Sequence, residues 1–445
     1  MDEDTSRLLS VAERLIDLAK RAGADAADAA VVRGRARGAS VRMGTVEETE
    51  SSEGEDLALR VFVGQRVASV SADVHTDLER LVERAVAMAK VSPEDPYAGL
   101  ADPGRLASGD IELDLFDPTE IASETLVEEA MALEDAARAV PGVSNSGGAS
   151  ASAGSSGLVL VTSGGFSGTR RRSSFGRSVS VIAGEGVRMQ RDYDFDSRLH
   201  HADLREAASI GRTAGERAVR RLEPRKVPTG RLPVVFDPRV ARGFFGHLLS
   251  AINGAAIARK TSFLKDAMGQ AILPAGVTVT DDPLLPRRPG SRAFDGEGVR
   301  GEALTLVEDG RLAAWLLDSG TARELGLQTN GRAARSASSL SPSSSNVQVS
   351  PGAMTPQQLI AETGRGLYID ELIGHGVNLV TGDYSRGASG YMIENGELTH
   401  PVSELTIAGT LMEMFAGLTL ADDLDPRFSI VAPTLRFEAM TVAGG

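Results

Sequence analysis

An α+β fold is predicted, with an N-terminal helix/sheet region in two parts and a strand-rich, barrel-like C-terminal domain after it. Three observations predict it. Amphipathic helical stretches alternate with period-two runs as far as residue 222. A charged connector with two prolines, EPRKVPTGR at 223–231, then breaks the chain. Beyond it, short strand candidates follow one another with one helix candidate among them. At 445 residues the chain is too long for one ordinary core, so two or three domains are expected.

The first unit, 1–98, begins with SRLLSVAERLIDLAKRA at 6–22. Leu8, Leu9, Val11, Leu15, Ile16 and Leu18 fall near helical spacing, and Gly23 stops the helix. The pattern then changes. LALRVFVGQRVASVSAD reads as two strands joined tightly at Gly64-Gln65, and TDLERLVERAVAMAKV at 76–91 as a second helix. A connector bearing Pro, Gly and Asp runs from 92 to 118.

The second unit, 118–222, opens with an amphipathic helix at 118–140. SNSGGASASAGSSG at 144–157 alone would pass for a flexible linker. LVLVTS and SVSVIAG follow it, however, and their alternation assigns the small residues to an exposed strand. A helix over 203–222, capped near Asp203, closes this unit.

The third unit, 231–445, strings together LPVVFD, GVTVTDD, ALTLVEDGRLAAWLLD, HGVNLVTGD, GYMIENGELTH and LRFEAMTV. A helix is expected at 238–258. EDG at 308–310 and ENG at 394–396, each between apolar residues, are its strongest hairpin signals.

Bulk composition narrows the function. Net charge is −14, a field that repels phosphate backbones and disfavours direct nucleic-acid binding. TRRR at 169–172 reads as a solvated face on an acidic protein. Without cysteine, disulfides and thiolate zinc sites are impossible. MDEDTSRLLS lacks the basic start and apolar run of a signal peptide, and no apolar run approaches a membrane span. A soluble cytoplasmic protein is expected.

Most catalytic motifs fail on spacing. GHGVNL at 374–379 has Leu379 where a phosphate cradle needs its third glycine, and Lys260 follows no Gly-rich loop. Neither GGFSG nor RGASG has the spacing of a nucleophile elbow, so Ser389 reads as a small residue on a crowded turn. The histidines His75, His200, His201, His247, His375 and His400 form no helical ligand pair. In DYDFDSRLHHAD, Asp192, Asp194 and Asp196 share one strand face, but Ser197 stands where a calcium loop needs glycine. A polar strand running into a helix is the better reading.

Several long stretches together resemble one family. GQAI, DDPLLP, SRAFDGEGV, LVEDGRLAAWLLDSGTARELGLQTNG, ELIGHGVN, and TGDYSRGASGYMIENGEL followed by HPVSELTIAG are similar to the TldD/PmbA family, and most like its PmbA (TldE) branch. RDYDFDSRLHHADL resembles the end of that family's middle region. The resemblance covers most of the chain and is densest from about 185 to 420.

The resemblance implies a cytoplasmic metalloprotease of two related subunits, acting on peptides and unfolded chains. TldD-type chains carry a His-Glu-x-x-x-His helix. The two histidines share zinc, the glutamate activates its water, and the C-terminal domain adds a ligand. Here the matching helix is ARGFFGHLLSAINGAA at 241–256. Only His247 occupies a ligand position; Gly243 stands four residues before it and Phe244 follows that glycine. His247 thus marks a vestigial metal-helix position. No catalytic residue and no metal are expected in this chain, and zinc is expected on a TldD-type partner.

A C-terminal stretch around 383–386 supplies part of the proteolytic site in TldD by the same resemblance. Asp383, Tyr384 and Arg386 are therefore the substrate-groove candidates. Asp383 and Arg386 have an equal alternative reading, a buried ion pair that fixes the turn. The favoured function is a subunit that pairs with a TldD-type chain and helps enclose a peptide channel; in isolation a homodimer is open to it. Two alternatives stand beside it: a self-sufficient metallohydrolase with an atypical site, and a binding protein that modulates DNA gyrase.

Overall fold

Helix α1 (Glu3–Arg21) leads into three strands, β1 (Ala26–Arg42), β2 (Thr45–Val63) and β3 (Arg66–Asp73), and then α2 (Leu78–Val91). After the connector come α3 (Ser123–Arg138), β4 (Val143–Thr162), β5 (Ser167–Ala183), β6 (Gln190–Arg198) and α4 (Ala207–Arg220). The computed structural model describes residues 3–109, 111–336 and 339–444. Residues 1–2 and 445, the outer ends of the first and third expected units, lie outside the described residues, as do 110 and 337–338.

The two N-terminal units share one 6-stranded sheet of order β3-β2-β1-β4-β5-β6. β1 joins them. It pairs with β2 from Ala26 to Arg42 and with β4 from Asp28 to Val41. Sequence reading missed β1, because RGRARGAS in its middle lacks the apolar alternation that marks a strand. All four helices lie on one face. α1 and α2 cover Ala27, Ala29, Val31, Leu57 and Leu59, while α3 and α4 cover Ala149, Ala151, Val179 and Val181. The low-complexity stretch is indeed strand, as the interior of β4. α4 starts four residues later than expected. Its N-terminus has no side-chain cap, and Asp203 instead pairs with Arg287 at 3.3 Å.

The opposite face of the sheet meets the C-terminal domain, with Phe166 against Phe294 at 5.0 Å between ring centroids. The TRRR run divides there. Arg171 is exposed, whereas Arg170 and Arg172 are half-buried and line a cavity beneath that domain, so the solvated-face reading holds for Arg171 alone.

That domain comprises β7 (Gly230–Phe236), α5 (Pro238–Ala251), α6 (Gly254–Ala258), β8 (Val279–Asp281), β9 (Leu304–Glu308), β10 (Arg311–Leu312), α7 (Ser319–Glu324), β11 (Ala333–Ser336), β12 (Ser339–Pro342), β13 (Val347–Val349), α8 (Pro356–Thr363), β14 (Gly366–Ile373), β15 (Asp383–Glu394), β16 (Glu397–Thr410), α9 (Leu411–Ala416), β17 (Leu418–Leu420), β18 (Ile430–Val431) and β19 (Leu435–Ala443). The order β16-β15-β14-β7-β19 closes through a β16–β19 pairing, which makes the barrel; β17 extends it beside β19. A second sheet, β10-β9-β8-β13-β18, packs its Val279, Leu306 and Val347 into the same core as barrel residues Val234, Leu367 and Ile407.

Both predicted hairpin turns form. Asp309 and Gly310 have φ of 47° and 76°, and Asn395 and Gly396 have φ of 53° and 78°, the left-handed pair that a two-residue turn of this hand requires. Two expectations are corrected. The helix at 238–258 breaks at Ile252-Asn253, where the Asn253 side chain accepts from the Ala255 N–H and restarts α6. HGVNLVTGD is a loop that touches the barrel through one bridge, Val377 to Tyr384; Asn378 accepts the N–H groups of Val380 and Thr381 and turns the chain there.

Candidate functional site

Asp237 sets up α5, the helix that carries His247. Its side chain accepts the Arg239 N–H at 2.8 Å, and Pro238 supplies the preset φ of a first helical residue. The other Asp237 oxygen accepts the Tyr368 hydroxyl at 2.7 Å. From this start α5 buries Phe244, Phe245, Leu248 and Leu249 and leaves Gly243 exposed.

Phe244 occupies the centre of an aromatic cluster. Its ring lies 4.7 Å from Phe236, 5.1 Å from Phe437 and 5.1 Å from Tyr384. His247 sits at the rim, edge-on to Phe244 at 6.5 Å and to Tyr384 at 6.2 Å. Burial, and then the Arg386 charge, hold its imidazole below the ordinary value, so it is neutral at pH 7.

Strand alternation sorts the groove candidates. Tyr384 and Arg386 point inward from β15, while Asp383 and Ser385 point out to solvent. Asp383 accepts the Thr381 hydroxyl at 2.5 Å and belongs to the loop before the strand. Asp383 and Arg386 therefore lie on opposite faces, and no ion pair joins them among the described residues. Arg386 also stands within a strand, where the ion-pair reading had placed a turn. Tyr384 Oη and Arg386 Nε are both buried without a well-formed hydrogen bond. Burial pushes the Tyr384 phenol well above its ordinary range against the pull of Arg386. Ser389 is buried in β15, and at Gly390 a Cβ would run into the Tyr368 carbonyl, so RGASG is a tightly packed strand.

The donors around His247 do not fit zinc. One helical turn to either side stand Gly243 and Ala251, which carry no ligand atom. Its ring neighbours are Phe244 and Tyr384, and the nearby charge is the Arg386 cation. Among the described residues, no three His, Cys, Asp or Glu side chains converge on a point that could hold a metal.

The aspartates of β6 are committed to arginines. Asp192, Asp194 and Asp196 are all buried. Asp194 pairs with Arg205 at 2.8 Å and Arg217 at 3.1 Å; Asp196 pairs with Arg198 at 3.1 Å and Arg427 at 3.6 Å. Asp192 joins a ring. Arg221 donates to Asp192 at 2.6 Å and to Asp370 at 2.7 Å, and Arg239 donates to the second oxygens of the same carboxylates at 3.0 and 3.1 Å. Burial pushes Asp370 up to about 6 against these two arginines. Sequence reasoning missed this ring. The available signal was the alternation in DYDFD, since three buried carboxylates on one face require cations opposite.

Family comparison covers nearly the whole chain. Residues 27–89 match the PmbA/TldA metallopeptidase domain 1, residues 116–222 its central domain, and residues 229–444 its C-terminal domain. The chain is 36% identical to metalloprotease PmbA of Escherichia coli O157:H7 over 427 residues, covering 94% of this chain and 92% of that one. It is 34% identical to a metalloprotease PmbA homolog of Haemophilus influenzae, covering 96% and 94%. A Bacteroides thetaiotaomicron structure described provisionally as a modulator of DNA gyrase superposes with a TM-score of 0.91 at 27% identity over 100% of both chains. TldE of Thermococcus kodakarensis shares the fold, with a TM-score of 0.85 at 22% identity over 98% of this chain and 100% of that one. The chain belongs to the TldD/PmbA metallopeptidase family, in its PmbA branch.

Proposed function

We propose that this chain is the metal-free subunit of a cytoplasmic, two-subunit metalloprotease that acts on peptides and unfolded chains. Its role is to shape the substrate channel and to assemble with a TldD-type subunit that holds the zinc. The observation that carries this reading is the α5–β15 contact. Where a His-Glu-x-x-x-His helix ending at position 247 would offer a second histidine and a glutamate, this chain has Arg242 and Gly243, and the Phe244 and Tyr384 rings pack beside His247. The metalloprotease names of its PmbA relatives support the reaction class. Among the described residues no helix is long and apolar enough to cross a membrane.

The test is metal analysis with reconstitution. Purified alone, the chain should hold no stoichiometric zinc and cleave no peptide. Mixed with a TldD-type chain, it should form a stable complex that cleaves an unfolded peptide. One tightly held zinc per chain, or full activity alone, sinks the proposal in favour of a self-sufficient hydrolase. The gyrase-modulator reading rests on a relative's name, and the net charge of −14 opposes direct contact with DNA.

A further inference from the structure

Between the open face of the N-terminal sheet and the C-terminal domain lies a cavity of about 730 Å³. Its floor is apolar, with Ala30, Val32 and Leu158 from β1 and β4. Arg170 and Arg172 from β5 stand at one end with Arg292 from the domain above, and Arg335 from that domain reaches down to Asp28 on β1. Asp56 and Asp73, exposed on β2 and β3, stand at the other end.

The arginines have more positive charge than the protein answers. The Arg170 side chain makes no ion pair or hydrogen bond among the described residues. Burial, then repulsion from Arg292 and Arg172, pushes it down to about 10. Arg292 donates to the Ser343 and Ser344 carbonyls at 3.1 and 3.4 Å, and its buried Nε has no partner. Arg172 donates to the Pro289 carbonyl. Arg292 feels the Asp295 and Asp281 carboxylates without an ion pair to either among the described residues, and Arg335 pairs with Asp28 at 2.9 Å, which it shares with Arg60. The Arg335 side chain is 9% exposed, its Nε donates to the Gly296 carbonyl at 2.9 Å, and its buried Nη2 is unpartnered. Buried guanidinium groups with free N–H donors are costly unless an anion completes them.

We propose that this cavity binds the C-terminal carboxylate of a short peptide, held by Arg170 and Arg292, with the peptide running past Arg335 over the apolar floor toward Asp56 and Asp73. The distribution of charge favours a peptide over a simple anion. A zwitterion with an apolar body matches arginines at one end, aliphatic side chains between and carboxylates at the other. β3 and β5 are four strand spacings apart, about 19 Å, which an extended peptide of about six residues spans. This inference rests on the peptide-handling reading above, yet it concerns the chain alone, so it can be tested without partner or metal.

The experiment is fluorescence anisotropy of the purified full chain with a labelled hexapeptide of small apolar residues at physiological salt. The free-acid peptide should bind at least tenfold more tightly than the same peptide with a C-terminal amide. Arg170→Ala should abolish that preference while holding or raising the melting temperature, because it removes an unanswered charge. If Arg170→Ala fails to fold, Arg292→Lys, which keeps the charge but removes the fork, should weaken the preference instead. Equal binding of acid and amide overturns the inference, as does inorganic phosphate binding as tightly as the free acid. Acid selectivity without any cleavage in the reconstituted pair would leave the site standing and remove the protease subunit role.

Discussion

Arg221 donates through Nη2 to Asp370 Oδ1 at 2.7 Å, and this contact ties the end of the middle unit to the barrel. Arg221 caps α4, and Asp370 lies on β14. Both side chains are almost fully enclosed, at 5% and 6% exposure. Their link, completed by Asp192 and Arg239, makes the orientation of the two domains depend on buried charge.

Arg221→Ala is therefore expected to be strongly destabilising. It leaves Asp192 and Asp370 buried with only Arg239 between them. Breaking a buried pair from one side costs about 3–5 kcal/mol. Thermal melting should show a large drop, or an early separate transition as the N-terminal region loosens from the barrel. A melting temperature within a degree of wild type would mean that the ring contributes little.

Glu297 provides a pH test. It is buried, its Oε2 accepts the Ser319 N–H at 2.8 Å, and Arg60 lies 4.0 Å away. Burial, then the neighbouring Asp295 carboxylate, pushes it from the ordinary 4.5 up to about 7. A carboxyl raised in the folded state holds its proton more tightly folded than unfolded. Its contribution to stability is thus fully present below pH 4.5 and is lost as pH rises through 7. The full span is about 3 kcal/mol. Glu297→Gln keeps an acceptor for Ser319 and removes the titration. Its melting temperature relative to wild type should rise between pH 5 and pH 8; a constant difference across that range would contradict the assignment.

His247→Ala is expected to act on stability and to leave the reconstituted complex active. The ring is half-buried at the rim of an aromatic cluster and has no second ligand within a helical turn. Losing its packing should cost about 1–2 kcal/mol. Loss of proteolysis at an unchanged melting temperature would show instead that His247 touches the reacting centre.

The sequence disclosed the turns and the lone histidine because each depends on local chemistry. Asn395-Gly396 specifies its turn whatever surrounds it. The low-complexity stretch was legible as strand only through its neighbours. Its small residues serve close packing: at Gly154 a Cβ would come within 3.1 Å of the Arg35 carbonyl on β1. Three features escaped for want of tertiary information. Nothing local in RGRARGAS announces a central strand. The three arginines of TRRR do not reveal which alternate ones face a cavity. RGASG reads as a crowded turn, yet it lies in β15 and Gly390 is there to let β14 pass close by.

Tyr384 and Arg386 give the sharpest test of the groove, because the barrel buries polar atoms of both without satisfying them. If Tyr384 Oη has only a packing role, Tyr384→Phe removes a desolvated hydroxyl and should hold or raise stability, by about 1 kcal/mol at most. If Arg386 Nε awaits a peptide carbonyl or carboxylate, Arg386→Ala should leave assembly with a TldD-type chain intact and slow cleavage of an unfolded peptide. A charge-assisted hydrogen bond contributes about 1.5–3 kcal/mol, so the loss in kcat/KM should be roughly 10- to 100-fold. Extended peptides that add along a strand edge gain main-chain hydrogen bonds with little sequence preference, so the loss should be similar across unrelated peptide sequences. Both variants should be measured in the same reconstituted complex, with melting temperatures alongside. A full cleavage rate in Arg386→Ala, together with a lowered melting temperature, would reduce the residue to a structural part of β15.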